Sequence, residues 1–388
     1  MARVVTGMVI AAALLAPEGA SAAPPSFDAA LEALRRVEGE GKGNAAASSA
    51  WPVVAAGGIE TLPRLLAAMD GCNPLAYNWL RTAVDAVIDR GGALPADALE
   101  AFVADVRHDP KPRRLAYDLL RSADEPRAAR LLDGMLDDPS VDLRRDAVAA
   151  LVRRAEAAAE AGLADESRAG LERAFAAARD VEQVQAIAKA LGKAGVQADL
   201  ARHFGFLRDW KVIGPFDNPS LRGYETAYPP EAGIDPAATV PGKFGPVEWR
   251  TVTSADPMGV VDINAVYPPP ADTAAAAGKE GPKEGLKEVV AYAVADFVAP
   301  DDRVAELRLG TKNAWKVWHN GRFVFGRDEY HRGMEVDQYR LAVNLVPGRN
   351  TILVKLCQDD QRKPWTTEWE FQLRVCDAVG TPVPSVAR

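Results

Sequence analysis

Cysteine is scarce in this chain, with three residues in 388, and histidine is hardly commoner at four. Neither a zinc framework nor a disulfide scaffold can organise a fold on so few ligands and thiols. A basic surplus is missing as well: 46 Lys plus Arg stand against 54 Asp plus Glu, a net charge of -8. The deficit is spread along the chain, about -5 over residues 23–203 and -3 beyond. A phosphate backbone is held by clustered cations, so nucleic acid is not an expected partner. No glycine-rich loop precedes a helix to cradle phosphate, and no H-E-x-x-H helix is present. What remains is globular composition, 48% hydrophobic and 26% charged, long enough for two or three domains.

The one long apolar run comes first. Arg3 is followed by Val4 to Ala16, then by the breakers Pro17, Glu18 and Gly19, and Ala20-Ser21-Ala22 offers small residues for cleavage. This three-part pattern predicts a secretory signal over residues 1–22, cut after Ala22. Thirteen apolar residues are too few to cross a bilayer of about 30 Å, which needs roughly 20. The mature chain is therefore expected to be secreted or periplasmic, without a membrane span. In that oxidising setting the cysteines need a geometric test. Cys357 and Cys376 end two apparent strands; if these form a hairpin centred on Lys363, the thiols lie roughly 23 Å apart along the ladder, far beyond disulfide reach. Three buried, unbridged thiols are expected.

The text changes character near residue 205. Residues 26–203 are rich in Ala, Leu, Arg and Asp and read as amphipathic helices. Only Trp51 and Trp79 fall there, whereas the other six tryptophans lie between Trp210 and Trp369 among Val, Ile, Gly and Pro. Helices followed by strands mark two domains, 26–203 and 208–380. A helix is expected over Phe27 to Val37, then a Gly- and Ser-rich connector from Glu38 to Ser49. Arg113 to Leu120 recurs as Arg144 to Leu151, and Leu75 to Leu80 matches Leu115 to Leu120. Such offsets suit helix pairs that stack because none buries its own apolar face. In the sharpest unit, Asp137 to Leu151, Leu143, Ala147 and Leu151 form one stripe. That unit resembles the HEAT repeat, which implies a short α-solenoid and a surface for protein contacts.

The second half opens with Asp209 to Asn218, a short strand apparently stopped at Gly214-Pro215. Strands are expected at Val289–Val298, Val304–Leu309, Ala314–Trp318, Arg322–Phe325, Tyr339–Leu345, Thr351–Cys357 and Trp369–Cys376. Asn320-Gly321 suits a two-residue type I′ turn, setting Phe323 opposite Trp318 and Val324 opposite Val317. Pro268 to Glu288 is low in complexity and charged, and is expected to be a mobile loop. Short strands with turn signals argue for a β-sandwich. Val304 to Gly310, Lys316 to Gly321 and Leu345 to Lys355 carry a further likeness. With the opening Trp210 to Asn218, they resemble the galactose-binding-like jelly rolls of carbohydrate-active proteins, the sugar-binding domain of family 2 glycoside hydrolases above all. Secreted bacterial proteins that join HEAT-like repeats to such a domain look similar. The resemblance implies a fold and an address, and it allows a structural calcium ion, for which no acidic cluster supplies obvious ligands.

Chemistry is thinly represented. A glycosidase needs two carboxylates across a cleft, and Asp328, Glu329, Asp359, Asp360 and Glu368 all sit near expected turns, where carboxylates are usually solvated. Binding is the better expectation, because exposed aromatics stack on the apolar faces of sugar rings. Trp365 is the aromatic expected to be most exposed, with Tyr330, His331 and Asp328 as a second loop. Trp315, Trp318 and Phe323 are assigned to the core. The sequence therefore reads as a non-catalytic binding or scaffold protein for a glycan or envelope protein, with no required cofactor. The alternative is an accessory or degenerate carbohydrate-active enzyme using the loop carboxylates.

Overall fold

The structure, a computed structural model, describes residues 25–268 and 285–386. The expected leader, 1–22, and most of the expected mobile loop lie outside the described residues. Helices come first and sheets second. No helix among the described residues is long and apolar enough to cross a membrane. The chain forms two compact units, Met1–Ala129 and Arg130–Arg388, so the last helices belong with the sheets and the division precedes the change in composition.

The first unit holds α1 (Phe27–Arg35), α2 (Asn44–Ala55), α3 (Leu62–Ala68), α4 (Pro74–Asp89), α5 (Ala96–Ala104), α6 (Pro110–Ala123) and the start of α7 (Glu125–Leu131). Part of the expected connector is helical, because alanine's helix preference outweighs two serines once Gly43 has turned the chain at φ 81°. Ala47, Ala50 and Val54 then bury one stripe of α2. Corners between helices are tied at recurring separations. Asn73 caps α4 and donates to the Val37 carbonyl at 2.7 Å, 36 residues back. Asp109 accepts from the Gly71 backbone at 2.6 Å, and Asp70 accepts from the Asp109 backbone at 2.8 Å. Arg113 is fully buried, donating twice to the Val103 carbonyl at 2.9 and 2.7 Å.

The second unit begins with α8 (Val141–Glu160), α9 (Ala164–Ala177), α10 (Val181–Lys193) and α11 (Leu200–Phe204). Leu143, Ala147 and Leu151 are buried along α8 as the spacing requires. Arg144 donates to the carbonyls of Asp138 and Asp137 at 2.9 and 2.7 Å. Arg113 and Arg144, matched in sequence, act alike: each is a buried guanidinium that satisfies carbonyls of the preceding corner, ten residues back for Arg113 and six and seven for Arg144.

Twelve strands follow: β1 (Asp209–Asp217), β2 (Val240–Gly242), β3 (Gly245–Val247), β4 (Arg250–Thr253), β5 (Val261–Asp262), β6 (Val289–Ala299), β7 (Arg303–Thr311), β8 (Ala314–His319), β9 (Arg322–Arg327), β10 (Tyr339–Leu345), β11 (Gly348–Gln358) and β12 (Glu370–Cys376). Six form an antiparallel sheet in the order β4-β1-β6-β11-β8-β9, and four form a second in the order β10-β7-β12-β5. The two enclose one apolar core that includes Trp210, Trp315, Val354, Leu307 and Phe371. The β1 strand runs through Gly214-Pro215, because its register against β6 shifts between Ile213 and Phe216, a bulge that removes the proline from the ladder. A second bulge between Val317 and Trp318 sets Phe325, not Val324, opposite Val317, while Phe323 does face Trp318. Phe323 is consequently 52% exposed on an edge strand instead of lying in the core.

Cys357 and Cys376 do not share a hairpin: β11 and β12 belong to different sheets. All three thiols are free, Cys357 and Cys376 buried and Cys72 only partly so. The two motifs behind the jelly-roll likeness meet at Asn350. Its side-chain carbonyl accepts from the Val346 backbone at 3.0 Å and from Asn320 at 3.2 Å, and His319 is 3.1 Å away. Its amide donates to the carbonyls of Val346 and Gly348 at 2.7 and 3.0 Å.

On its outer face the four-stranded sheet carries Arg308 and Arg374 directly opposite each other, both buried. Asp337 accepts from Arg374 on both oxygens and from Arg308 on one, each at 2.6 Å. Arg374 also reaches the Phe204 carbonyl at 3.1 Å, and Leu207 donates to the Leu373 carbonyl at 2.9 Å. Burial alone would raise the Asp337 carboxyl, but Arg374 and Arg308 outweigh it and hold it below the usual carboxylate range. We predict that Asp337→Ala destabilises the second unit by about 3–5 kcal/mol, since buried Arg374 loses its carboxylate partner and Arg308 keeps only Glu306; thermal unfolding within 1 kcal/mol of wild type (roughly) would refute this. Because the folded carboxyl titrates lower than the unfolded one, its contribution is present above about pH 4 and lost as pH falls through the folded value. Acid unfolding curves of wild type and variant should therefore converge below that point.

Candidate functional site

Four segments of the second unit meet at one rim: residues 217–224, 287–288, 328–331 and 358–368. Asn218, fully buried, donates from its backbone to the Glu288 carbonyl at 2.9 Å and from its amide to the Gln358 carbonyl at 3.0 Å. Glu288 donates in turn to the Asp359 carbonyl at 2.7 Å. At the centre lies Lys287, whose side chain is 3% exposed. Its ammonium sits 3.1 Å from Asp359 Oδ1 and donates to both the carbonyl and the hydroxyl of Thr366. The other Asp359 oxygen accepts from His331 Nε2. Burial lowers the Lys287 ammonium below the usual lysine range, with Asp359 working against the shift.

The expected mobile loop therefore ends in packed structure: Leu286 and Lys287 are buried, and Lys287 has the role of an internal cation. Gln358 completes the frame. Its carbonyl oxygen accepts from Asn313 at 3.0 Å and from the Asp359 backbone at 3.1 Å, while its amide faces the carbonyls of Thr366, Thr367 and Glu368 at 3.2 to 3.4 Å. Ser220, Leu221, Glu288 and His331 hold left-handed backbone conformations, φ 51° to 60°, within these converging segments. Each costs about 1–2 kcal/mol, and such residues concentrate where a surface is being shaped.

Trp365 stands on this frame. It is 67% exposed, while the other seven tryptophans, all among the described residues, are buried or half-buried. Its turn, Pro364–Thr366, is closed by Thr366, whose hydroxyl accepts from the Lys363 backbone at 3.1 Å and donates to the Gln361 carbonyl at 2.6 Å. Tyr330 and His331 lie side by side, ring centroids 6.2 Å apart. Burial is the chief cause that pushes the Tyr330 hydroxyl above its ordinary range. His331 and the Trp365 turn are thus linked through Asp359, Lys287 and Thr366. Asp328 stands apart from that linkage, exposed near Glu225 and Lys316; lost hydration and Glu225 raise its carboxyl, opposed by Lys316.

Sequence reading missed Lys287, Asn218, Asn313 and Gln358, and it treated Asp359 as solvated although Asp359 is buried. The available signal was the polar Gln358-Asp359 pair closing a largely apolar run, Ile352 to Cys357, that Lys355 alone interrupts. Of the other loop carboxylates, Glu368 pairs with Lys312, and Glu329 with Arg327 and Arg332. No three His, Cys, Asp or Glu residues converge to hold a metal among the described residues.

No known protein family matches the chain, and no curated protein does. Among solved structures, part of it is similar to a β-glucosidase from Kluyveromyces marxianus in complex with glucose, at 10% identity and a TM-score of 0.27 over 43% of this chain and 16% of that one. A GH2 β-galacturonidase from Eisenbergiella tayi overlaps at 11% identity and TM-score 0.21, over 44% of this chain and 25% of that one. A GH31 α-xylosidase from Xanthomonas citri gives 11% and 0.19, over 44% and 16%. The chain spans a quarter or less of each of these proteins. Overlaps this loose leave the function to the residues themselves.

Removing the internal cation tests the frame. Lys287→Met should leave the buried Asp359 carboxylate without its ammonium partner, held at one oxygen by His331, and cost about 3–5 kcal/mol. Hydrogen exchange at the Lys363 and Thr366 amides should speed up before global unfolding does. Unchanged protection would mean that the ammonium does not hold the turn.

Proposed function

We propose that this is a secreted or periplasmic, non-catalytic binding protein. Its β domain is read as a galactose-binding-like jelly roll that holds a glycan on Trp365, and its helices as a short HEAT-like array for protein contacts. The observation that carries the reading is Trp365 itself: an exposed indole on a turn anchored to a buried ion pair. A stacking platform that is already ordered loses little entropy when a ligand arrives. An exposed indole without such anchoring would be an ordinary surface residue.

Three of the five loop carboxylates are engaged: Asp359 by Lys287 and His331, and Glu368 and Glu329 by cations. A glycosidase needs two across a cleft, which leaves Asp328 and Asp360 to carry the enzymatic alternative. The address rests on the Arg3 to Ala22 pattern, and the array on the equivalence of Arg113 and Arg144.

The test is a glycan array probed with residues 23–388, with and without calcium, followed by titration of any hit. Trp365→Ala should keep the wild-type unfolding temperature and weaken binding roughly thirtyfold or more, as loss of a dominant aromatic contact does. Undiminished affinity would remove Trp365 from the site. Hydrolysis of a bound glycan that is lost on changing Asp328 or Asp360 would favour the enzymatic alternative.

A further inference from the structure

The two most exposed aromatic side chains among the described residues are Trp365, at 67%, and Phe244, at 59%. Phe244 shares with Lys243 the two-residue turn that joins β2 to β3, closed by Gly242 opposite Gly245. That turn is fastened to the rim that carries Trp365. Lys243 donates from its backbone to the Pro215 carbonyl at 2.8 Å. Its ammonium reaches the carbonyls of Glu288 and Lys287 at 2.7 and 3.3 Å and the Asp217 carboxylate at 3.0 Å. Lys287 in turn holds Thr366, the neighbour of Trp365. Residues 287–288 therefore link two anchored turns, each of which leaves one ring in water. Ordered in advance, both rings can meet a ligand with little further loss of entropy.

The polar groups at this link are carboxylates. Asp217 is paired with Lys243, whereas the half-exposed Glu288 carboxylate has no hydrogen-bond or ionic partner among the described residues. An ionised carboxylate only accepts, so it suits hydroxyl donors and repels anions. Two separate apolar rings suit the faces of two sugar units.

We propose that Phe244 is a second stacking position of the Trp365 site, and that the site takes a neutral oligosaccharide chain, not a single sugar. This rests on the glycan reading of Trp365. One sugar ring stacks on Phe244 and another on Trp365, and hydroxyls of the stretch between them donate to Glu288.

The test is native affinity electrophoresis of residues 23–388 in gels containing β-glucan, xyloglucan, galactomannan or, as the acidic comparison, polygalacturonate. A neutral polysaccharide should retard the wild type. Longer oligosaccharides released from it should relieve that retardation at far lower concentration than its disaccharide. Phe244→Ala should weaken binding of the chain about tenfold, leave the disaccharide unchanged and keep the wild-type unfolding temperature. Glu288→Gln should weaken the chain severalfold, because a charged acceptor becomes a neutral one. Phe244→Tyr, which keeps a stacking ring, should match wild type. So should Phe323→Ala, which removes an exposed ring outside the segments of this rim. Retardation lost on Trp365→Ala but kept on Phe244→Ala would overturn the second position and leave the Trp365 reading standing. Stronger retardation by polygalacturonate would overturn the neutral class, and no retardation in any gel would overturn both readings.

Discussion

Among the described residues Asp337 is the only carboxylate bonded to both Arg308 and Arg374, and the architecture of the second unit turns on that arrangement. Two guanidiniums directly across a strand pair repel each other, and on an open sheet they would spread into water. Here they are buried, because α11 and the chain after it lie against the same face: Phe204 offers its carbonyl to Arg374, and Leu207 and Val375 exchange backbone bonds with their neighbours across the junction. Phe204 and Phe206 extend the contact into the apolar cluster of α10. Helices and sheet in this unit are therefore one packed body, which explains why the compact division precedes the compositional one.

The same solution appears twice more. Lys287 fills an oxygen-lined position between Asp359 and Thr366. Lys355, fully buried, reaches the carbonyls of Tyr224 and Thr226 at 3.1 and 2.7 Å and Glu231 at 2.8 Å. Burial lowers both ammonium groups, yet each brings together segments far apart in sequence. Buried ion pairs add little net stability compared with apolar packing, so their value lies in specifying one arrangement of those segments.

Much of this was legible in the sequence because it depends on local periodicity. The α8 stripe, the Asn320-Gly321 turn with φ 50° and 74°, and most strand positions follow from spacing alone. The bulges at Gly214 and Val324 were not, since an extra residue in a ladder leaves no mark on hydropathy. Lys287 was hidden by its neighbours: a lysine that closes a low-complexity segment reads as solvated until its buried partner is known. Among the candidate residues, the exposure of Trp365 followed from its loop, whereas its anchoring did not, because Asn313, Gln358 and Lys287 converge from segments distant in sequence.

Glu306, Arg308, Gln372 and Arg374 alternate with apolar residues, as do Lys316 and Lys355 on the other sheet, which is the pattern of a sheet with one face in water. Both faces are in fact covered, one by the helices and the other by the segment from Asn218 to Trp249, which packs Tyr224, Tyr228 and Trp249 against Tyr292 and Leu353. A two-sheet domain with both outer faces occupied can meet a ligand only along its rims and open edges. Trp365 projects from one rim. On the proposed reading, recognition falls where these layers stop and Trp365 is left in water.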